Sequence, residues 1–239
     1  MVTSELNLDT PDGAMPAFQA TPDGEVKGGV VVVQEAFGVT GHIEDVCRRL
    51  AAAGWMAVAP ALFHRQGSPV LDYEQFDRVM PVMRQLTAEG ISDDLDASFG
   101  HLDDEGFPPA RTAIVGFCMG GSIALVAATQ RAIGAAVTYY GGGLREGRFG
   151  FRPLIELAPG LRTPWEGHFG DLDKGIPVDD VEALREAAAK APVPTELYRY
   201  AGADHGFNCD DRPAVFHADA AAAAWERTLA WLDQHVRTA

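Results

Sequence analysis

The chain reads as an α/β protein with a mostly parallel central sheet, helices on both faces and an antiparallel hairpin at its N-terminus. Three observations predict this. Short, near-continuous apolar runs rich in β-branched residues recur along the chain, as strands buried on both faces do. Segments of helical period lie between them, and strand–helix alternation is the signature of parallel sheets joined by right-handed crossovers. The first 25 residues break the pattern: two polar turn signals, Pro11-Asp12-Gly13 and Pro22-Asp23-Gly24, flank an extended segment over 14–20, which predicts a hairpin on the sheet edge.

In chain order, GVVVVQ at 29–34 is the first buried strand. Residues 41–53 are amphipathic, with Ile43, Val46, Cys47 and Leu50 on one face, and Gly54 is placed to stop the helix. MAVAP at 56–60 is the next strand, and Ser92 followed by acids predicts an N-cap for a helix over 92–102. TAIVG at 112–116 runs directly into an Ala-rich helical stretch. Strands over 135–140, 163–169 and 195–200 and helices over 178–190 and 214–236 complete the alternation. There is no internal repeat, and the Gly-rich segment 141–150 is too short to separate domains, so a single domain over 1–239 is expected.

Composition narrows the function. With 47% hydrophobic and 22% charged residues the chain has the balance of a soluble globular protein. The N-terminus is polar and acidic without the features of a secretory signal, and no apolar stretch approaches the ~20 residues that span a bilayer. A cytoplasmic protein without a membrane partner is expected. Cys47, Cys118 and Cys209 are an odd set with no CxxC pair, which argues for free thiols and against a disulfide framework or a zinc ribbon. A formal charge of -15 would repel a phosphate backbone, so nucleic acid is excluded as a partner, and a carboxylate ligand would need a local arginine to hold it.

The segment carrying most information is Gly116-Phe117-Cys118-Met119-Gly120-Gly121-Ser122. A strand that enters Gly-x-Cys-x-Gly and leaves as a helix is the setting of a nucleophile elbow, as in α/β-hydrolase folds. Its glycines allow strand and helix to approach closely around a strained central residue, and the helix N-terminus lowers a thiol pKa and offers amides to an oxyanion. A buried structural cysteine or a phosphate loop would explain part of the pattern, but the spacing fits neither G-x-G-x-x-G nor G-K-[ST]. Asp204-His205-Gly206-Phe207 follows the last strand, where open parallel sheets place their sites. Between the two, Asp171 and Asp173 are both candidates for the acid that would orient His205, Asp173 being preferred. Glu35, at the end of the first buried strand, stands level with the elbow; the amides of Ala36 and Met119 are then the two oxyanion donors. Phe37, Trp55, Tyr73, Phe76, Tyr140 and Phe207 are aromatic candidates for an apolar pocket. His64, His168, His217 and Cys47 are set aside, and His205 with Cys209 lacks the further ligands a metal would require.

Taken together, QEAFGV, APALFHRQG, VGFCMGG, YYGGG, HFGDLDKGIP and AGADHGF fall in order over nearly the whole chain, which resembles the dienelactone hydrolase (carboxymethylenebutenolidase) family of α/β-hydrolases. The resemblance implies a triad of Cys118, Asp173 and His205 and an auxiliary Glu35 that takes the thiol proton when substrate binds. It implies a lactone or ester substrate from aromatic degradation, opened to a maleylacetate-type product, with no cofactor or metal and a monomeric or weakly homo-oligomeric state. One position departs from the family: an arginine four residues after the histidine, which binds the substrate carboxylate, is Cys209 here. Arg212 and Arg78 are the candidates to replace it, with Phe37 and Phe207 beside the substrate. Two other readings stay open: hydrolysis of a neutral ester or other acyl compound on the same fold, and a thiol-based sensor or binding protein without turnover.

Overall fold

The N-terminal turn signal does what its chemistry predicts. Gly13 adopts φ 111°, and β1 (Val2–Thr10) and β2 (Gly13–Thr21) pair antiparallel around it. This structure, a computed structural model, describes residues 1–237; the last two residues of the domain expected over 1–239 lie outside the described residues. β2 pairs antiparallel with β4 (Met56–Pro60), and from there the sheet is parallel. Its other strands are β3 (Gly29–Val33), β5 (Thr112–Phe117), β6 (Ala135–Tyr139), β7 (Trp165–Gly170) and β8 (Thr195–Tyr200). The eight strands lie in the order β1-β2-β4-β3-β5-β6-β7-β8.

Every residue of β3 through β7 is buried. Because neighbouring side chains on a strand point to opposite faces, both faces of the sheet must be covered. The helices are α1 (Gly41–Ala52), α2 (Phe76–Met83), α3 (Ala88–Asp104), α4 (Met119–Gln130), α5 (Leu154–Leu157), α6 (Val178–Ala188) and α7 (Ala218–His235). α1 and α7 adjoin, with the Arg49 guanidinium 4.8 Å from the Trp225 ring. α3 and α4 adjoin through Arg131, which donates to the Ser92 carbonyl and to Asp96 at 2.6 Å. Val30 to Val33 are each 0% exposed, and each contributes roughly 1.5–3 kcal/mol relative to an exposed valine. Among the described residues no helix is long and apolar enough to cross a membrane.

The boundaries differ from the sequence pattern where a local hydrogen bond decides them. α3 begins four residues before the expected Ser92 cap, because Thr87 Oγ1 accepts the Gly90 N–H at 3.1 Å and Glu89 sits in the first turn. α7 begins at Ala218 and not at 214: His217 Nδ1 accepts the Ala220 N–H, and Pro213 lies in the turns before it. β7 starts at Trp165, since Thr163 instead donates to the Arg131 carbonyl and accepts from the Ile133 N–H. His168 belongs to a buried network: Nε2 lies 2.8 Å from Glu166 Oε1, and Nδ1 lies 2.9 Å from the Tyr200 hydroxyl.

Candidate active site

The strand order reverses at β3. The chain steps outward from β3 to β4, then crosses back to place β5 on the other side, and such a switch opens a crevice at the carboxyl ends of the two strands. The segments that leave β3 and β5 there carry Glu35 and Cys118.

Cys118 stands at the junction of β5 and α4 with φ 54° and ψ -115°, a conformation that costs an ordinary residue about 1–3 kcal/mol. Its N–H donates to the Tyr139 carbonyl at 3.1 Å, and its side chain remains partly accessible. The glycines around it are dictated by the crossing. A Cβ on Gly116 would overlap the carbonyl of Gly120, and one on Gly120 would overlap the carbonyls of Val33 and Gln34. Gly120→Ala is therefore expected to cost about 3 kcal/mol, because backbone and not a mobile side chain would have to move. In a thermal melt this should appear as a fall of roughly 10 °C for a chain of this size.

His205 lies in the loop after β8, its backbone N–H donating to Asp204 Oδ1 at 2.7 Å. Its Nδ1 is 2.6 Å from Asp173 Oδ2, and Asp173, 6% exposed, accepts the Gly175 N–H on its other oxygen at 2.8 Å. Burial of the ring opposes its protonation, but the charge on Cys118 and the hydrogen bonds to Asp173 and Cys118 prevail, and the imidazole pKa is raised well above the ordinary histidine value. The two acids that the sequence left open separate cleanly: Asp173 meets His205, whereas Asp171 is held by Arg199 at 2.8 and 3.0 Å.

Glu35 is 0% exposed. The Tyr140 hydroxyl donates to its Oε1 at 3.2 Å, while Oε2 has no partner among the described residues. Burial, reinforced by the Glu35 carboxylate, raises the Tyr140 hydroxyl far above its usual pKa, so it remains a donor. Gln34 fixes this turn by accepting the Leu62 N–H and donating to the Glu35 carbonyl. The N–H groups of Ala36 and Met119 make no hydrogen bond among the described residues, which leaves two donors at the mouth of the crevice.

One wall is aromatic and cationic. Phe37 meets Tyr73 edge-on at 4.7 Å and Phe76 at 5.6 Å. Over it the Arg212 guanidinium lies 5.6 Å from the Phe37 ring and 5.5 Å from Tyr73. Arg212 also rests against Gly206, the residue after His205: a Cβ there would stand 2.6 Å from Nη1. It has no ion-pair partner among the described residues. Burial, with the Glu35 carboxylate nearby, pushes the Cys209 thiol up to about 12, and its sulfur lies 3.5 Å from the Tyr73 hydroxyl. Cys209 is thus an uncharged, buried residue behind the wall.

Two expected substrate contacts are not at this wall. Arg78 is exposed and donates to Gln75 at 3.0 Å on its own helix. Phe207 is 0% exposed, packed 5.4 Å from Tyr140 and 5.1 Å from Tyr200, so it backs the site from beneath and does not face it. Trp55 is likewise core. Tyr140, which sequence reasoning noted only as an aromatic, proves to be the partner of Glu35; its position directly before a run of three glycines is the signal that would have marked it. Among the described residues no three of His, Cys, Asp and Glu are grouped to hold a metal ion.

A thiol at a helix N-terminus, an imidazole on a buried carboxylate and two unpaired amides together can open an activated acyl group. Known proteins resemble the chain over nearly its whole length. Residues 15–236 match the dienelactone hydrolase family model. A Yersinia pestis protein named "Putative carboxymethylenebutenolidase" is 36% identical over 237 residues, covering 97% of this chain and 88% of its own. The carboxymethylenebutenolidase of Pseudomonas putida is 26% identical, with 97% of each chain covered. A crystal structure from Klebsiella pneumoniae, described as a "Putative Dienelactone Hydrolase", superposes with a TM-score of 0.88 at 35% identity, covering 98% of this chain and 99% of its own.

Proposed function

Because the chain belongs to the dienelactone hydrolase family and is a carboxylic ester hydrolase, we propose that it opens lactones or esters through the thiol of Cys118, with His205 as proton carrier and Asp173 holding it. What supports this most is the pairing of His205 Nδ1 with buried Asp173 at 2.6 Å, with Asp173 and Cys118 together outweighing burial to favour the protonated ring. Glu35 Oε2, buried and unpartnered, takes the thiol proton. The thiolate attacks the acyl carbon, and the oxyanion settles on the Ala36 and Met119 amides. His205 gives its Nε2 proton to the leaving oxygen. It then takes a proton from water, whose oxygen attacks the thioester; the sulfur leaves as a thiolate and recovers its proton from Glu35, so His205, Glu35 and Cys118 all return to their starting states.

The substrate is a lactone that carries a carboxylate, such as a dienelactone giving a maleylacetate-type product of aromatic degradation. In support, Arg212 offers an unpaired guanidinium beside His205, and Phe37 and Tyr73 offer a flat wall for a conjugated ring. The protein on this reading acts in the cytoplasm, as one domain, without a cofactor. Turnover of cis- and trans-dienelactone against a neutral aryl ester tests it. Arg212→Gln is expected to lower kcat/KM on the anionic lactones about 10- to 100-fold, mostly through KM, with less than about threefold change on the neutral ester. Equal losses on both substrates, or no dienelactone turnover by the intact protein, would reject the anionic substrate. A neutral ester or other acyl compound would then be the remaining choice, as Cys209 at the family's arginine position would favour.

A further inference from the structure

Glu166 and His168 stand two residues apart on β7, a strand whose residues are all buried, so both side chains enter the same face of the sheet. β3 (GVVVV) and β4 (MAVAP) carry only apolar residues, and a titratable pair at the same depth calls for partners. The partners form a continuous chain. His168 Nε2 lies 2.8 Å from Glu166 Oε1 and 3.3 Å from Thr228 Oγ1, and Nδ1 lies 2.9 Å from the Tyr200 hydroxyl, to which Arg227 Nη1 donates at 2.9 Å. A guanidinium only donates and a carboxylate only accepts, so the arrangement that satisfies every atom has Tyr200 give its proton to Nδ1 and Nε2–H point to Glu166. Burial raises the Tyr200 hydroxyl above its ordinary pKa, which keeps that proton in place. From Thr228 Oγ1 the chain continues to the Tyr139 hydroxyl at 2.8 Å.

Buried charged groups of this kind gain little stability, because desolvation offsets their attraction and apolar side chains of similar volume serve as well. What they fix is direction, and each member sits at the root of a segment that carries the chemistry. The Tyr139 carbonyl accepts the Cys118 N–H at 3.1 Å, and its ring stacks 4.6 Å from Phe117, the residue before the nucleophile. The His168 carbonyl accepts the Tyr140 N–H at 2.8 Å. The Tyr200 carbonyl accepts the Asp171 N–H at 3.0 Å, at the start of the turn that carries Asp173, and Tyr200 itself opens the loop that leads to His205. With the His168 ring 4.7 Å from that of Tyr139, the carboxyl ends of β5 to β8 are joined through one imidazole.

We propose that His168 is a positioning residue for ester and lactone hydrolysis: its ring locks Tyr139 on β6 and Tyr200 on β8 to β7, and thereby holds Asp173 and His205 at the spacing that proton transfer needs. This rests on Cys118, His205 and Asp173 acting as proposed for the hydrolysis. The aromatic wall for the substrate is built elsewhere, from Phe37 after β3 and Tyr73 after β4. Loss of the lock therefore falls on the chemical step and not on binding.

Steady-state kinetics on dienelactone and a neutral aryl ester across pH, with His168→Asn and Tyr200→Phe, test this. Each variant is expected to lower kcat about tenfold with KM within about twofold of the parent, since a small misplacement of the reacting groups costs that much. The groups facing the His205 ring are the Asp173 carboxylate, the Cys118 thiol and the Tyr140 phenol. A slackened Asp173 contact favours the protonated ring less, so the alkaline limb of kcat/KM should move toward lower pH in both variants, an effect that lost stability alone does not produce. Tyr200→Phe removes one oxygen and keeps the ring, so the test stands even if His168→Asn fails to fold. Tyr198→Phe is the control: its hydroxyl meets only Glu196 among the described residues, and both rate and limb should stay within about twofold of the parent. An unchanged kcat in Tyr200→Phe, or a lower rate with the limb in place, would overturn the role of His168 while Cys118-dependent turnover by the parent leaves the hydrolysis itself standing. Turnover that survives Cys118→Ala, or none by the parent on either substrate, would overturn both.

Discussion

Cys118→Ala is expected to lower the turnover of lactones and esters by about 10⁴-fold or more, leaving only what the amides and His205 can do with water. The expectation is large because the other groups act through the sulfur: the two free amides await an oxyanion that forms only once a nucleophile has attacked, and unpartnered Glu35 Oε2 has no proton to take. Alanine accepts the φ 54° of this position no worse than cysteine, so loss of activity would not reflect loss of the elbow. Circular dichroism and a thermal melt should match the parent protein. Cys118→Ser keeps the shape but offers a hydroxyl that ionises far less readily, and its rate should fall by orders of magnitude as well. Steady-state rates, together with mass detection of an acyl adduct in the parent alone, provide the measurement. Turnover that persists in Cys118→Ala would remove the nucleophile from the mechanism; a parent protein that binds the lactone without turning it over would favour a thiol-based sensor.

What the sequence revealed of this site follows from where each constraint acts. The elbow is legible because its glycines are forced locally: Gly116 and Gly120 sit where two backbones pass within contact, and no other residue fits. The buried strands are legible for a similar reason, since a strand covered on both faces has no room for polar residues, and Val30 to Val33 show it. α2 is harder to read: Phe76, Val79, Met80 and Met83 recur at helical spacing, but the segment is only eight residues long and carries Pro81, which ordinarily breaks a helix, inside it. The choice between Asp171 and Asp173 depends on Arg199, on a strand 28 residues away, which draws Asp171 to the surface. Arg212 and Phe207 show the limit from both sides: a cation and an aromatic near a histidine are equally visible, but only the turn Gly206 makes decides that the first leans over the wall and the second points beneath it.

The Asp173–His205 pair yields a result of similar size with a pH signature of its own. Asp173→Asn should reduce kcat by about 10²–10⁴-fold, because an amide cannot favour the ring orientation and the imidazolium as a carboxylate does. The sign of the pH effect follows from the group's role. On the proposed mechanism His205 carries a proton to the leaving oxygen, and its pKa is raised well above the ordinary histidine value, so kcat/KM should hold through neutrality and fall only as pH rises through that raised pKa. Of the forces that raise it, Asp173 supplies a hydrogen bond and a charge, and its removal leaves Cys118 alone to oppose burial. The alkaline limb of the Asp173→Asn profile should therefore move toward lower pH, whereas Asp171→Asn, which takes from Arg199 one of its two acidic partners and leaves it Glu182, should leave both the limb and the rate within about twofold of the parent. A limb that stays in place in Asp173→Asn would mean that Asp173 holds the ring without setting its charge, and a limb that moves in Asp171→Asn would return the second aspartate to contention.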